Sequence, residues 1–257
     1  MTSQGKSMRI KRILFLVSMV LLLCIGMIAW YILKPNARAN NSAVVTSQDN
    51  NPCTAEPRIY LPVEKSSVTE ILYPGQLRKG IYETDSLFVL KSSTNDTLVR
   101  LPIGGKLTAG KKYLDKGEVQ FMLEFVSDCG YRMRFDHLAV VSLELVEEIS
   151  HLSERESSTS DNQELSNKQF DTGTIIASRV GYLKSNESLF TFGFYNPNAK
   201  NVISSDAEWS ADPLHQSDDS QRGLCWIDYL SENEKSQVAE IVKSNQEILQ
   251  ESDYCNV

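Results

Sequence analysis

The sequence lacks the short motifs by which several classes of enzyme are recognised. It contains no C-x-x-C pair, no Gly-x-Ser-x-Gly context for a nucleophilic serine and no glycine-rich phosphate-binding loop. Its three histidines, at positions 137, 151 and 215, offer few candidate metal ligands. These absences argue against a thiolate zinc site, an α/β-hydrolase and a nucleotide-binding protein, although composition leaves a dispersed Ser-His-Asp arrangement open.

Basic residues are also scarce outside the first twelve positions. The formal net charge of the chain is -7; residues 1–12 contribute +4 and residues 13–33 none, which leaves -11 for residues 34–257. A nucleic-acid-binding surface needs Lys and Arg side chains to neutralise phosphates. The composition therefore predicts no nucleic-acid partner.

One long apolar run stands out near the N-terminus. Residues 13–33 carry no charge over 21 positions, which is long enough for a helix to cross a lipid bilayer. The basic residues of segment 1–12 favour a cytoplasmic N-terminus, and Trp30 and Tyr31 suit the outer interface. The sequence therefore predicts a single-pass cell membrane protein whose main domain is extracytoplasmic. A signal peptide cleaved near 37–39 is the alternative.

Four cysteines lie beyond the predicted span, at Cys53, Cys129, Cys225 and Cys255. An even number of cysteines in an oxidising compartment predicts two disulfides, for which three pairings are possible. Cys225 and Cys255 bracket a helical pattern, which favours their pairing and leaves Cys53 to join Cys129.

The rest of the chain divides by composition into three parts. Residues 34–56 are polar and predict a linker; residues 57–230 predict a β domain with a polar loop at 150–168; residues 231–257 predict a helix, capped by Ser231, and a disulfide-closed tail. Short β-branched or aromatic runs separated by turn residues predict the strands. The main ones are 86–91, 97–101, 118–126, 138–145, 173–181 and 188–195.

Several segments of the β region resemble the β domain of lysostaphin-like zinc endopeptidases, which cut peptide cross-links in bacterial cell walls. The segments are Tyr73–Phe88, Leu101–Gly110, Phe135–Leu138, Asp171–Ala177 and Leu189–Gly193. The resemblance covers about residues 70–195. It implies a mainly β fold, a duplicated-hybrid-motif sandwich or barrel-like domain, here with a C-terminal helix and one preceding transmembrane helix.

The same resemblance implies that the zinc site has been lost. Catalytic zinc needs about three protein ligands, but Asp85 stands at the place of the first histidine, and Phe190 and Phe192 replace a His-x-His pair. Phe190, Phe192 and Phe194 alternate as in a strand, so we expect them on one core-facing side. Only His137 matches a catalytic position. We therefore predict no cofactor, with zinc as the alternative.

The chain also resembles a group of membrane-anchored bacterial envelope proteins that carry the same degenerate domain. The shared elements extend to the C-terminus, and no biochemical role carries over from that group. They are Tyr73–Gln76, Cys129–Gly130, Arg134–Leu138, Cys225–Trp226 and Ser252–Cys255.

The candidate site residues each have an ordinary structural interpretation. His137 is either a remnant catalytic base or a strand histidine satisfied by a neighbour, and the second is favoured. Asp85, Asp136 and Trp209 are candidate binding residues; Asp85 also suits a turn, and Trp209, in an acidic stretch, is expected to be exposed.

These patterns favour a membrane-anchored pseudo-peptidase that binds or scaffolds components of the cell envelope. The expected partners are the bilayer, through residues 13–33, and either cell-wall peptidoglycan or another envelope protein. The enzymatic alternative is a metal-dependent peptidoglycan endopeptidase with a rearranged site of Asp85, Asp136 and His137. A third hypothesis is a purely structural domain that holds membrane proteins together through its anchor and residues 231–250.

Overall fold

The computed structural model describes residues 56–91, 97–157, 159, 161–243 and 251–255. All of them belong to one compact unit within Asp49–Val257. The predicted cytoplasmic segment, the membrane span 13–33 and all but the last residue of the linker 34–56 lie outside the described residues. Within the described ranges, no helix has the length and apolar character needed to cross a membrane.

Thirteen β-strands, β1 to β13, occur in the described part of the chain. In order they are Val68–Leu72, Gln76–Arg78, Ile81–Glu83, Ser86–Leu90, Val99–Arg100, Gly105–Asp115, Glu118–Ser127, Arg132–Val141, Glu154–Arg155, Gln163–Glu164, Gln169–Phe170, Ile175–Val180 and Leu189–Tyr195.

Four α-helices, α1 to α4, occur in the same ranges. They are Leu143–Ile149, Ala207–Ala211, Asp218–Arg222 and Glu232–Lys243. Short 3₁₀ turns lie at Lys65–Ser67, Ile203–Ser205, Pro213–His215 and Trp226–Tyr229. The prediction of a mainly β domain that ends in a helix is therefore confirmed.

Most strands join one sheet with the order β1-β4-β13-β8-β7-β6-β10, in which neighbouring strands are antiparallel. Strands β9 and β11 also pair with β6, and β12 pairs with β5 and β8, whereas β2 and β3 form a separate hairpin. The long β6–β7 hairpin turns at Lys116 and Gly117, both with positive φ, as a tight hairpin turn requires. This order places β13 between β4 and β8, near the middle of the sheet.

The core-facing side of β13 carries three phenylalanines. Phe190, Phe192 and Phe194 are at most 1% exposed, as their alternation predicts. The Phe190 ring stacks on Phe88 with centroids 4.8 Å apart, and Trp226 lies 5.8 Å from Phe192 and 5.5 Å from Phe88. These aromatic rings pack the centre of the sheet against the 3₁₀ turn that contains Trp226.

The C-terminal helix begins with a reciprocal cap. The Ser231 hydroxyl accepts a hydrogen bond from the Glu234 backbone N–H at 3.3 Å, and the Glu234 carboxylate accepts one from the Ser231 N–H at 3.2 Å. This capping box satisfies two otherwise unpaired donors. Val238 and Ile241 are buried, and α4 packs against β1. The predicted cap and helix are confirmed.

The segment predicted as one strand at 138–145 contains two elements. Strand β8 ends at Val141 and helix α1 begins at Leu143, which is 92% exposed, whereas Leu145 is fully buried. Short apolar runs fit a strand and a helix equally well by periodicity. Ser142 is a residue type that is common at the N-cap position, although its hydroxyl makes no capping hydrogen bond here.

The polar stretch 150–168 is also more ordered than predicted. Strands β9 and β10 pair with β6, and Leu152 and Leu165 are buried. The few apolar side chains of this stretch therefore anchor an otherwise exposed segment to the sheet.

The disulfide between Cys225 and Cys255 is confirmed, with their Cα atoms 5.0 Å apart. Cys129 is also disulfide-bonded, but its predicted partner, Cys53, lies outside the described residues. The second pairing stays a prediction.

Truncation of Phe192 tests the contribution of the aromatic core. We expect Phe192→Ala to lower the free energy of unfolding by about 3–5 kcal/mol, because it leaves a cavity at a fully buried ring. Urea unfolding of the full chain in detergent measures the change. The control, Leu143→Ala at an exposed side chain, should stay within about 0.5 kcal/mol of wild type. Equal losses in the two variants would contradict this assignment of the core.

Candidate functional site

Strand β13 presents a second face opposite to its phenylalanines. Thr191, Gly193 and Tyr195 occupy that side, beside Asp136, Arg134 and Arg132 of β8 in antiparallel register. Because side chains alternate along a strand, these residues share one surface of the sheet. We call the surface of β7, β8 and β13 that carries Glu124, Arg134 and Tyr195 the polar face.

Asp85 closes one end of the polar face. It lies at the bend between β3 and β4, as a turn residue would, and its carboxylate accepts a hydrogen bond from the Tyr195 hydroxyl. Arg134 donates to the same hydroxyl at 3.3 Å. Burial raises the pKa of Asp85, against the opposing effect of the Arg134 charge. The Asp85 carboxylate is therefore bound by a phenol whose oxygen in turn accepts from a guanidinium.

Arg134 continues into a network of ion pairs. Its side chain lies 2.9 Å from Glu124 and 2.7 Å from Asp219, and Arg132 also pairs with Asp219. Burial acts to raise the pKa of Asp219, but the charges of Arg134 and Arg132 lower it overall. The network ties α3, which carries Asp219, to the centre of the sheet.

His137 belongs to a neighbouring cluster. Asp136 accepts hydrogen bonds from the Tyr113 hydroxyl at 2.5 Å and from the His137 backbone N–H at 2.6 Å. The His137 Nδ1 atom lies 3.3 Å from the Tyr182 hydroxyl, which itself donates to Asp115. The imidazole thus has a phenol as its neighbour, which supports the interpretation of His137 as a satisfied strand histidine. Its φ of 61° is uncommon for a residue other than glycine.

The residues at the implied zinc position do not fit a metal ion. The rings of Phe190 and Phe192 are fully buried in the core and have no lone pair to donate, and the Asp85 carboxylate is engaged by Tyr195. Within the described residues, no three His, Cys, Asp or Glu side chains come together as metal ligands would. No step of zinc chemistry follows from these side chains.

Trp209 is not the exposed contact residue that the sequence predicts. It is 9% exposed, its indole N–H donates to Asp253 at 2.7 Å, and its ring stacks on His215 at 4.1 Å. Asp206 caps α2 by accepting from the Trp209 backbone N–H. The acidic stretch therefore forms a short helix that turns the indole inward.

Sequence reasoning missed most of the polar face. Arg132, Arg134 and Asp136 alternate on β8, opposite a buried apolar side, and this period-two pattern of charges on a strand marks one polar surface. Their partners could not be found in the same way, because Asp219 lies 87 positions from Arg132.

Comparisons with known proteins add little to this geometry. No family model matches the chain, and no curated protein matches it. The chain is similar to a solution structure of lysostaphin, with 11% sequence identity and a TM-score of 0.32, over 53% of this chain and 49% of the lysostaphin chain. The chain thus spans about half the length of the structure that it matches. A likeness of this size shows neither a common fold nor a common activity.

Two aspartates of the polar face should affect acid stability in opposite directions. The pKa of Asp219 is lowered from 3.8, so the unfolded chain binds more protons as the pH falls through that range, and stability is lost. The pKa of Asp85 is raised from 3.8, so the folded chain binds more protons there, and stability is lost as the pH rises.

We expect Asp219→Asn to flatten the fall in unfolding free energy below about pH 4. We expect Asp85→Asn to remove a decline in unfolding free energy above about pH 4.

Urea unfolding of the full chain at a series of pH values measures both effects. Asp218→Asn is the matched control, because the Asp218 side chain is 71% exposed. Parallel pH profiles for all three variants and wild type would show that the polar-face carboxyls are not coupled to folding in this way.

Proposed function

We propose that this chain is a membrane-anchored, extracytoplasmic module that binds or scaffolds components of the cell envelope. Its β domain would be a pseudo-peptidase of the duplicated-hybrid-motif type, with no hydrolytic role. The expected ligand is the peptide or glycan of the cell wall, or another envelope protein.

The burial of Phe190 and Phe192 is the observation that carries this proposal. Both side chains are 0% exposed, and the Phe190 and Phe192 rings pack with Phe88 and Trp226. A change of rotamer cannot bring either ring to solvent, since both belong to the packed centre of the domain. Restoring ligands at these positions would put polar side chains into an apolar core, at a cost of several kcal/mol each.

The polar face supports the same proposal. A hydrolase needs a base near its working pH and an activated water or nucleophile. Here Asp85, Glu124 and Asp219 are paired with Tyr195 and with arginines. Their hydrogen-bonding and charge capacity is used within the fold, so they serve packing rather than chemistry.

The proposed location rests on two features of different kinds. Residues 13–33 have the length and composition of a membrane span, and the Cys225–Cys255 disulfide is of the kind that persists in oxidising compartments. Together they favour an extracytoplasmic domain behind an N-terminal anchor.

Incubation of the full chain, purified in detergent, with isolated peptidoglycan sacculi tests the proposal. We expect saturable co-sedimentation with the sacculi and no release of wall peptides, with or without added zinc. His137→Ala should behave as wild type in both measurements. An unrelated acidic single-pass protein in the same detergent serves as the control for non-specific sedimentation.

Two results would count against the proposal. Zinc-dependent release of wall peptides that His137→Ala abolishes would establish the endopeptidase alternative built from Asp85, Asp136 and His137. Sedimentation no greater than that of the control protein would remove the cell wall as the ligand.

A further inference from the structure

The C-terminal residues 251–255, which we call the tail, occupy a groove on the surface of the domain. The groove lies between the segment Pro74–Glu83, which contains the β2–β3 hairpin, and the helical region that contains α2 and α3. The Asp253 backbone N–H donates to the Gly75 carbonyl at 2.8 Å, and the Ser252 hydroxyl donates to the Pro74 carbonyl at 2.6 Å. Cys255 ends the tail in its disulfide with Cys225. The tail bends at Asp253 and Tyr254, where the Ser252 hydroxyl accepts from the Tyr254 and Cys255 backbone N–H groups, and it is not a strand of the sheet.

One carboxylate of the tail is recognised by several ring donors. The Asp253 Oδ2 atom accepts from the Tyr82 hydroxyl at 2.8 Å and the Trp209 indole at 2.7 Å, and His215 Nε2 lies 3.9 Å away. The His215 ring is fixed by stacking on Trp209 and by its Nδ1 atom, 2.8 Å from the Trp209 carbonyl. Burial, followed by the influence of Tyr254 and Asp253, raises the pKa of Tyr82, so its hydroxyl keeps the proton that it donates.

The next side chain of the tail fills a slot between two glycines. A Cβ atom at Gly75 would lie 2.7 Å from the Tyr254 ring, and one at Gly223 would lie 2.4 Å from it. Neither position leaves room for another residue while the ring is in place. The Tyr254 hydroxyl donates to the Ser220 carbonyl at 2.7 Å. The groove therefore has contacts that fit a carboxylate side chain followed by a phenol side chain.

We propose that this groove is a peptide-recognition site for an acidic residue followed by tyrosine, and that the tail is the internal occupant that keeps it closed. The recognising groups come from Pro74–Tyr82 and from 209–223, so the tail contributes none of them. A segment of another polypeptide with the same Asp-Tyr chemistry is the occupant when the tail is displaced. The tail of a second copy is a poorer candidate, because its own disulfide holds it on its own chain.

The Cys225–Cys255 disulfide keeps the tail in the groove. While the bridge is intact, Tyr254 is held next to a covalently fixed residue. Reduction by a dithiol supplies two electrons and two protons, which gives two cysteine thiols and an oxidised, disulfide form of the reductant. The tail is then held by its non-covalent contacts alone. This inference rests on the proposed binding role, but it does not depend on affinity for the cell wall.

Peptide binding to a full-length chain without the bridge, and to a chain without the tail, tests this proposal. The probe is a fluorescein-labelled peptide Glu-Ser-Asp-Tyr-Ser, and the receptors are Cys225→Ser/Cys255→Ser and the Cys225→Ser chain that ends at Gln250. We expect saturable binding to both, tighter to the chain without its tail, and no binding to the oxidised wild type. Replacing Asp by Asn or Tyr by Phe in the peptide, or Tyr82→Phe in the receptor, should weaken binding at least about tenfold, since each removes a hydrogen bond or charge.

Circular dichroism and thermal unfolding first establish that each receptor is folded. If the shortened chain does not fold, the full-length chain without the bridge decides alone. The peptide is then titrated to about millimolar concentration, because the attached tail competes with it for one groove. Absence of binding to the folded receptors would overturn the proposal. Binding of the Asn and Phe peptides as tight as that of the unsubstituted peptide would also overturn it. A dimer of the full-length chain without the bridge, if the peptide dissociates it, would instead assign the groove to a second copy. The sacculus experiment uses the oxidised wild type, in which the tail occupies the groove. Its result therefore tests the proposed function alone, and peptide binding tests the groove alone.

Discussion

The alternation of side chains along β13 is the constraint on which the rest of the domain depends. This strand lies between β4 and β8. One side of it therefore packs in the core, and the other side forms part of the polar face. A shift of register by one residue would exchange the faces and place Phe190 and Phe192 among the arginines of β8. The aromatic core and the Asp85–Tyr195 contact are therefore consequences of one pairing register. Phe190 and Phe192 therefore serve as packing positions together.

Buried charge sets the character of the polar face. The side chain of Glu124 is 8% exposed and that of Arg134 is 18% exposed, and charges this far from water are costly unless they are paired and hydrogen-bonded. Each arginine contacts more than one acceptor, although the buried Nε atom of Arg132 has no hydrogen-bond partner among the described residues. Such a network favours one arrangement of α3 on the sheet over others. It also leaves no carboxylate of the network free to act on a ligand without first losing a partner.

The parts of this structure that follow short-range rules could be predicted, and the parts that depend on distant contacts could not. The alternation of Phe190 to Phe194 and the Ser231 cap are local patterns, and the structure contains the strand and helix that they imply. The pairing of Cys225 with Cys255 also followed from spacing. The start of α1 was missed because the short apolar run 138–145 fits both a strand and a helix. The inward turn of Trp209 was missed because its partner, Asp253, lies 44 positions away and no local signal connects them.

The two polar regions of the domain differ in how they are closed. Opening the polar face to a ligand would break several ion pairs of its own sheet, whereas opening the groove displaces only the tail. The Cys225–Cys255 bridge closes a loop with a sequence separation of 30, which in the chain-entropy account stabilises the fold by about 3.6 kcal/mol. It also keeps Asp253 and Tyr254 beside the groove, and a tethered segment has an effective concentration of roughly millimolar. A free peptide at about micromolar concentration would need roughly 10³-fold higher affinity than the tail to compete. In the proposal, the disulfide therefore decides whether the tail can leave the groove, and after its reduction a partner peptide must still compete with a tail that the polypeptide chain keeps nearby.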